Sequence, residues 1–561
     1  MPRPPDAPDP PDPLDRRAFL GHAAVLGAAA TGGLGWSPAA REPGNSSSPV
    51  PMPGRVTPAR APFELEEITI AELQAGMASG RYTAKRLVEL YLERIAAMDR
   101  ADVALQSILE TNPEALALAE ALDHERAAKG ARGPLHGIPV LLKDNIDTAD
   151  RMTTTAGSLA LEGSIAARDA HLAGRLRTAG AILIAKTNMS EWANIRSNHS
   201  SSGWSARGGQ CRNPFVLDRN PCGSSSGSGA AVSANFGAVA VGTETDGSIV
   251  CPASACGVVG LKPTVGLVSR VGVIPISHTQ DTAGPLCRTV ADAAALLGVL
   301  AGADPRDPAT SASSGHVEPD YAKFLDPAGL RGARIGVARE KFFGYNDATD
   351  RLAEAAIGVF RREGAIVVDP ADIPHAGTYD DAELEVLLFE LKADLNAYLT
   401  ALGPAAPVRT LADVIAFHER ERAREMHWFA QELFVRAEAK GDLTTPAYRR
   451  ALETCGRLAR RQGLDAVMNK HKLDAIVAPT GNPAWPTDPV NGDHFTGGSS
   501  TPAAVAGYPS ISVPMGQAWG LPVNLSFIGR AWSEPTLLRL AYAFEQITMH
   551  RKAPRFLPTL A

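Results

Sequence analysis

Hydrophobic and polar positions follow two different spacings along this chain, and the spacing changes from segment to segment. In TIAELQAGMASGRYTAKRLVELYLERIAAM, residues 69–98, apolar residues recur every three to four positions, and the same period returns in NPEALALAEALDHERAAKG, residues 112–130. This period predicts amphipathic helices, a first over residues 69–98 and a second over residues 112–130. Shorter runs rich in aliphatic and β-branched residues follow at intervals and predict buried strands: IPVLLKD, AILIAKT, AVAVGTE and DAIVAPT.

Helical stretches such as DAHLAGRLRTAG and VADAAALLGVLAG lie among these strands. Strands that alternate with helices predict an α/β fold, in which helices flank a central, mostly parallel or mixed β-sheet. Residues 381–469 carry helical patterns and few strand patterns. We therefore expect a single large domain over residues 63–561, with a helical insertion at about 381–469.

The N-terminal residues differ in composition from the remainder of the chain. Residues 1–39 contain the pair Arg16 and Arg17, then a weakly apolar stretch rich in Ala and Gly, and then small residues up to Ala39 at a spacing that a signal peptidase accepts. This arrangement resembles a twin-arginine signal, which exports folded proteins across a bacterial inner membrane. Residues 40–62 are rich in Pro and Ser and predict a flexible linker. We expect an exported protein, periplasmic or secreted, that meets a membrane only transiently during export.

Composition excludes several classes of function. The chain has 561 residues and a formal net charge of −6, so it lacks the basic excess of a nucleic-acid-binding protein. Its 13 histidines are scattered and show no metal-binding spacing, so we predict neither a metal nor another cofactor. Some of the six cysteines could pair in an exported protein, but Cys251 and Cys256 are interpreted as small buried residues. No pattern specifies an oligomeric state.

Two loops rich in Gly and Ser are the strongest candidates for chemistry. PCGSSSGSGAAV leads into a predicted helix of small residues, and TETDGSIVCP continues the predicted strand AVAVGTE, so both loops reach one side of a βα layer. Ser224 and Ser248 are expected there. The stretch GSSSG also fits the nucleophile pattern G-x-S-x-G, with Ser225 at its centre. We reject that interpretation because the turn-like sequence DRNPC precedes it, where a nucleophile elbow needs a strand.

A serine hydroxyl is a poor nucleophile until a base takes its proton, and no histidine lies near these loops in the sequence. GIPVLLKDNID places Lys143 directly after an apolar strand, and strand ends are where ligand clefts form in open α/β sheets. Most lysines lie on the surface. The apolar run before Lys143 instead indicates a partly buried amine that could act as the base.

These segments resemble the amidase signature family, whose members use a Ser–cis-Ser–Lys triad, and in appearance they are closest to its bacterial peptide amidases. The resemblance extends from about residue 63 to about residue 550, and its most specific parts are GPLHGIPVLLKDNID, GSSSGSGAAV and TETDGSIVCPASACGVVGLKPT. It implies that Ser248 is the nucleophile, that Ser224 is a bridging serine held by a cis peptide bond, and that Lys143 is the base. It also implies a large α/β domain of the amidase signature type.

The resemblance further implies an oxyanion hole built from the backbone N–H groups of Thr245, Asp246 and Gly247. Many family members have Gly-Gly-Ser at the nucleophile, whereas here Asp246 replaces the first glycine, which is similar to the peptide amidases. The implied reaction converts a primary amide, with a C-terminal peptide amide as the expected substrate, to acid and ammonia through an acyl-enzyme.

Three other functions are considered beside that one. A general aliphatic or aryl amidase would use the same three residues. The catalytic subunit of a tRNA-dependent amidotransferase shares the triad, but it needs cytosolic aminoacyl-tRNA, which disagrees with the predicted export signal. A non-catalytic secreted binding protein would be expected to lack one member of the triad, and all three are present.

Overall fold

Eleven strands form one mixed β-sheet within residues 63–404 and 406–560, the part of the chain that this computed structural model describes. The predicted export signal, residues 1–39, and the predicted linker, residues 40–62, lie outside the described residues and stay predictions. From Glu67 onward the described chain forms one compact unit. In chain order the strands are β1 (Ile108–Thr111), β2 (Pro139–Lys143), β3 (Ile182–Thr187), β4 (Trp204–Ser205), β5 (Gly209–Gln210), β6 (Val239–Glu244), β7 (Val259–Lys262), β8 (Thr282–Cys287), β9 (Arg334–Val337), β10 (Ile366–Val368), β11 (Ala475–Pro479), β12 (Ser510–Ala518) and β13 (Leu521–Ile528).

The strand order across the large sheet is β1-β3-β2-β6-β8-β7-β12-β13-β11-β9-β10, while β4 and β5 pair separately. Strand β2 is parallel to β3 and to β6, and β9 is parallel to β10 and β11; the other neighbouring pairs are antiparallel. The apolar runs IPVLLKD, AILIAKT, AVAVGTE and DAIVAPT form β2, β3, β6 and β11, and every residue of these four strands is buried. Strands buried on both faces have continuous apolar sequences of this kind.

Helices cover the sheet, which confirms the predicted α/β fold. Helix α5, for example, packs against β2, β3 and β6, whereas α8 and α16 pack against β12. None of the helices described is both long enough and apolar enough to cross a membrane. In chain order the helices are α1 (Ile70–Ala78), α2 (Ala84–Ala97), α3 (Ala115–Lys129), α4 (His171–Thr178), α5 (Ser226–Ser233), α6 (Val250–Ala255), α7 (Val290–Leu300), α8 (Asp347–Arg362), α9 (Asp380–Ala401), α10 (Leu411–Arg420), α11 (Arg422–Glu425), α12 (Glu432–Glu438), α13 (Pro446–Cys455), α14 (Asp465–His471), α15 (Thr501–Ala506) and α16 (Glu534–Thr548).

The first periodic stretch, residues 69–98, forms two helices rather than the one that its spacing predicts. Gly80 adopts a φ of +74°, a left-handed conformation that suits glycine and ends α1. The side chain of Thr83 then accepts a hydrogen bond from the backbone N–H of Arg86 and caps the start of α2. The apolar period continues through this turn, and therefore it does not show the break.

The described residues between 380 and 471 form helices α9 to α14, joined by turns and by a π-helical stretch, Gly456–Leu464. Helix α9 packs on α12 and α13. Leucines on α9, among them Leu388 and Leu391, also belong to an apolar cluster with Trp192 and Ile276 of the core. The helical pattern is therefore present in the structure, while the boundaries of an insertion at 381–469 stay a prediction.

A buried arginine, Arg196, links helices α9 to α14 to the core through ion pairs. Arg196 is fully buried and forms ion pairs with Glu191 at 2.8 Å and Glu425 at 3.7 Å, and its guanidinium lies 4.4 Å from the ring centre of Phe429. Burial and the nearby Arg196 lower the pKa of His418 to about 3, so this histidine is neutral. Glu191, His418 and Glu425 lie close enough together to hold a metal ion, but Arg196 already supplies the positive charge there.

Candidate active site

Lys143 is the last residue of β2 and is completely buried. Its Nζ lies 2.8 Å from Ser224 Oγ, 2.8 Å from Thr243 Oγ1 and 3.4 Å from the carbonyl oxygen of Thr243. Thr243 belongs to β6, the parallel neighbour of β2. Two adjacent strands therefore place the amine and its Thr243 partner, and the contact with Ser224 comes from the loop before α5.

Ser224 follows a cis peptide bond between Gly223 and Ser224, as the sequence resemblance implies. The carbonyl oxygen of Ser224 accepts a hydrogen bond of 3.1 Å from the backbone N–H of Ser190. A Cβ atom at Gly223 would lie 2.2 Å from Ser190 Oγ, so only glycine fits at this close approach. The loop is thus packed tightly against residue 190, and the Ser224 hydroxyl faces Lys143.

Ser248 lies in the turn between β6 and α6 and is 8% exposed. Its carbonyl oxygen accepts a hydrogen bond of 3.1 Å from the backbone N–H of Ser225, so the two serine loops are joined directly. A bond between the hydroxyls of Ser224 and Ser248 is not among the hydrogen bonds of the described residues. The structure therefore brings Lys143 into contact with Ser224, and it places Ser248 on the adjoining loop.

Carboxylates hold the turn that carries Ser248. Glu244 accepts hydrogen bonds from the backbone N–H groups of Ile249 at 2.7 Å and Val250 at 3.0 Å. The Thr245 hydroxyl donates to Asp281 at 2.6 Å. These anchors bend the chain around residues 245–248. No backbone carbonyl of the described residues accepts a hydrogen bond from the N–H groups of this stretch.

Asp246, the residue that replaces a glycine of the family pattern, links the turn to a third part of the chain. Its carboxylate accepts hydrogen bonds from Ser500 Oγ at 2.6 Å and from Thr501 Oγ1 at 2.7 Å, at the start of α15. Gly247 beside it has a φ of +76°. The departure from the family pattern therefore adds a fixed contact to the turn that carries Ser248.

Burial lowers the pKa of Lys143 to about 7, and the negative charges of Asp281 and Glu244 offset part of this effect. Burial also raises the pKa of Asp281 to about 6, although hydrogen bonds from Thr245 and from backbone N–H groups work against the rise. An amine with a pKa near 7 is present as the neutral base in a large fraction of molecules at neutral pH. A buried lysine with a lowered pKa next to a serine hydroxyl is a candidate general base.

Two other buried lysines show how selective the contact with Ser224 is. Lys186 donates to the carbonyl oxygen of Ile146 and to the hydroxyl of Thr154. Lys262 donates to the carbonyl oxygens of Pro263 and Tyr508. Burial lowers the pKa of both lysines. Neither lysine has a serine hydroxyl among these partners. A lowered lysine pKa alone therefore does not locate the site.

Ser225, the centre of the rejected nucleophile pattern, has a different environment. It is fully buried, its hydroxyl donates to the carbonyl oxygen of Thr243 at 3.0 Å, and the same hydroxyl accepts from the Thr243 N–H at 3.2 Å. No strand of the described chain runs into Gly223. Ser225 thus fastens its loop to β6, which is a structural use of the hydroxyl.

The cysteines require one correction. Cys222 and Cys251 form a disulfide with a Cα–Cα distance of 5.9 Å, so the interpretation of Cys251 as a small buried residue is wrong. Cys256 is a buried free thiol, as the sequence predicts. The spacing of Cys222 and Cys251 does not identify the pair because each cysteine lies on a separate loop, and only the fold brings these loops together.

A narrow apolar pocket opens beside the polar residues. It is lined by Asn145, Met189, Trp192, Ile276 and Leu391, among others. The side-chain N–H of Asn145 donates to Thr243 Oγ1 at 3.0 Å, the oxygen that also contacts Lys143. The carbonyl oxygen of the Asn145 side chain is buried and has no hydrogen-bond partner. The cavity is thus a small apolar space beside the polar contacts of Lys143 and Thr243.

The fold and this site define an amide-hydrolysing enzyme of the α/β class, and comparison with known proteins agrees. Residues 86–538 match the family model described as Amidase, and the chain belongs to the amidase signature family. The crystal structure of a peptide amidase from Stenotrophomonas maltophilia is similar with a TM-score of 0.85 and 53% identity, covering 88% of this chain and 100% of that one. The peptide amidase bound to the competitive inhibitor chymostatin has a TM-score of 0.86 at the same identity and the same coverage.

Sequence relatives extend across kingdoms. A protein of Arabidopsis thaliana named as an amidase is 45% identical over 507 residues, which cover 88% of this chain and 93% of the plant protein. A glutamyl-tRNA(Gln) amidotransferase subunit of Alkalilimnicola ehrlichii is 34% identical over 502 residues, which cover 88% of this chain and 99% of the bacterial one. The chain is thus an amidase, a hydrolase acting on amide bonds, and it is more similar to that plant protein than to that amidotransferase subunit.

Proposed function

We propose that this protein is a serine amidohydrolase in which Lys143, Ser224 and Ser248 act together to cleave the C-terminal amide of a peptide. The observation that carries the proposal is the 2.8 Å contact between Lys143 Nζ and Ser224 Oγ. The lysine in this contact is buried, and its pKa is lowered to about 7. The hydroxyl group lies on the loop that adjoins Ser248. This is the arrangement that a base needs in order to act through a bridging hydroxyl.

The contacts of Lys143 give each group a role. A neutral amine has two N–H groups and one lone pair. Thr243 Oγ1 and the Thr243 carbonyl oxygen can each accept a hydrogen bond from one of these N–H groups. The lone pair then faces Ser224, whose hydroxyl donates its proton to the amine and can accept another from Ser248. The Ser248 oxygen attacks the amide carbon as its proton moves through Ser224 towards Lys143.

The remaining steps use the turn around Ser248. The backbone N–H groups of Thr245, Asp246 and Gly247 stabilise the negative oxygen of the tetrahedral intermediate. Lys143, now protonated, returns the proton through Ser224 to the leaving nitrogen, and ammonia departs from the acyl-enzyme. Water then attacks the acyl carbon, with its proton passed along the same route, and the free acid is released. The reaction therefore needs no cofactor.

Three observations support a peptide amide as the substrate. The protein is 53% identical to a peptide amidase over 88% of its length. Asp246 occupies the family's glycine position and fixes the turn to Ser500 and Thr501. Arg16, Arg17 and the apolar stretch after them predict export to a compartment that holds peptides and lacks aminoacyl-tRNA.

The test compares three substrates: a peptide amide, the same peptide extended by one residue, and a simple aliphatic amide. We expect the peptide amide to have the highest kcat/KM, by about 100-fold over the extended peptide, because a site closed behind the leaving group accepts –NH₂ and excludes a further residue. Ammonia release and mass spectrometry measure the products. A preference for the simple amide indicates a general amidase, and glutamine-dependent amidation of aminoacyl-tRNA indicates an amidotransferase; either result contradicts the proposed substrate.

We further propose export through the twin-arginine route, with cleavage near Ala39. The Cys222–Cys251 disulfide supports this proposal, since disulfides persist mainly outside the reducing cytoplasm. Replacing both Arg16 and Arg17 by lysine is expected to leave the precursor in the cytoplasm of the producing bacterium. Fractionation followed by immunoblotting measures the distribution. Unchanged export of the double variant, or an unprocessed N-terminus in the exported protein, would speak against the route.

A further inference from the structure

The Cys222–Cys251 disulfide joins the two loops that carry the serines. Cys222 lies two positions before Ser224, and Cys251 lies three positions after Ser248, as the second residue of α6. The two loops come from opposite sides of strand β6 in the sequence. The disulfide is therefore a covalent cross-link between the loop of Ser224 and the loop of Ser248.

Each cysteine is also hydrogen-bonded to the loop that it adjoins. The carbonyl oxygen of Cys222 accepts a hydrogen bond of 2.6 Å from Ser226 Oγ, across the turn that contains Ser224. The backbone N–H of Cys251 donates to the carbonyl oxygen of Gly247 at 2.8 Å, directly before Ser248. The backbone of each cysteine is therefore bonded directly to the turn that holds one of the serines.

The other supports of the two loops come from different neighbours. Ser224 is held by the backbone N–H of Ser190, whereas the Ser248 turn is held by Glu244 and by the contact of Asp246 with α15. Among the backbone hydrogen bonds of the described residues, the one from Ser225 to Ser248 joins the two loops directly. The Ser225 hydroxyl also bonds to the backbone of Thr243, in the strand that leads into the Ser248 turn, and the disulfide adds a covalent link to these hydrogen bonds.

We propose that the Cys222–Cys251 disulfide is a positioning element of the catalytic site, which fixes Ser224 relative to Ser248, so that the reduced protein hydrolyses amides slowly. The inference rests on the proposed function, because it assumes that a proton passes between these two hydroxyls. Proton transfer and attack tolerate displacements of about 0.5 Å, and a misplacement of about 1 Å can lower the rate about 100-fold.

Reduction separates the two sulfur atoms by more than this distance. A dithiol reductant breaks the Sγ–Sγ bond, gives one hydrogen to each sulfur and leaves as its own cyclic disulfide. The two sulfur atoms then move from a bond of about 2 Å to a van der Waals contact of about 3.5–4 Å. Cys222 packs in an apolar cluster with Phe215 and Trp485, so little of this displacement can be absorbed on its side. Cys251 is partly exposed, which gives the reductant access.

The experiment uses the full-length protein with both Cys222 and Cys251 replaced by alanine, and Cys455→Ala as the matched control. Cys455 carries a buried thiol at the end of α13, outside the serine loops. We measure kcat and KM for the peptide amide well below Tm, and the rate at which phenylmethanesulfonyl fluoride modifies Ser248. The double variant is expected to lose about 10- to 100-fold in kcat and in the modification rate, with little change in KM. The control variant keeps all three values.

Dithiothreitol provides a second measurement that does not depend on the folding of a variant. It should lower the wild-type kcat towards that of the double variant and leave the double variant unchanged. Titration of the denatured, unreduced protein should detect four of the six thiols. Six titratable thiols, or a double variant with the wild-type kcat and only a lower Tm, would overturn the inference. If wild-type protein hydrolyses no amide, the proposed function is wrong, while the modification rate of Ser248 still tests the disulfide.

Discussion

Ser248→Ala is expected to abolish hydrolysis of the peptide amide, with a loss in kcat of about 10⁴-fold or more, because no acyl-enzyme forms without the nucleophile. The fold should persist, since the Ser248 contact with Ser225 uses the backbone carbonyl oxygen and survives the substitution. Steady-state kinetics measures the loss. Thermal unfolding checks that Tm stays close to the wild-type value. A loss of activity is then not caused by unfolding of the variant.

The adduct formed by a serine-directed reagent identifies the nucleophile independently. Mass spectrometry of a digest should place phenylmethanesulfonyl on the peptide that contains Ser248, and the Ser248→Ala variant should carry no adduct there. An adduct on Ser225 would restore the nucleophile elbow and contradict the assignment. Turnover of the Ser248→Ala variant near the wild-type rate would contradict it as well.

Activity is expected to fall on the acid side of pH 7 as Lys143 gains a proton. The pKa of Lys143 is lowered to about 7, so kcat/KM should decrease about tenfold for each pH unit below that value. Lys143→Met removes the base, and Lys143→Arg replaces it with a guanidinium that keeps its proton; each should cost about 10²- to 10⁴-fold in kcat at pH 8. A fully active Arg variant, or a flat profile between pH 5 and pH 8, would rule out Lys143 as the base.

The same lysine should affect stability with a defined sign. Between pH 7 and about pH 10.5 the unfolded chain carries the Lys143 proton and the folded chain does not, so the free energy of unfolding rises with pH. Relative to Lys143→Met, wild-type protein should gain about 1.4 kcal/mol for each pH unit in this range. Urea unfolding of both proteins at several pH values measures the difference. An unchanged difference from pH 7 to pH 10 would show that Lys143 keeps its proton in the folded state.

The strands could be predicted from the sequence because their residues are buried on both faces. IPVLLKD and AVAVGTE read as apolar runs, and they form β2 and β6 in the middle of the sheet. The break between α1 and α2 could not be read from the apolar period, because Gly80 and Thr83 act through backbone conformation and capping. Local chemistry at a turn decided that boundary.

The candidate site was predictable where a residue has a local signature. Lys143 stands at the end of an apolar strand, and the Gly/Ser loops mark Ser224 and Ser248. Thr243 has the same signal as Lys143, a position near the end of a buried strand, and this signal was missed. Asp281 and the Cys222–Cys251 pair have no local signal. Their partners lie on other loops, and a single sequence does not show which loops meet.

The strand order has a consequence for synthesis of the chain. Strand β7 pairs on one side with β8 and on the other with β12, which is made more than 240 residues later. Until Ser510–Ala518 leaves the ribosome, β7 presents an unpaired edge, and such edges recruit other strands and promote aggregation. Asp246 likewise lacks its hydrogen bonds from Ser500 and Thr501 until those residues have been synthesised. The nascent chain therefore carries Lys143, Ser224 and Ser248 for nearly half of its synthesis without a finished active site, and during this interval its unpaired edge is exposed to aggregation.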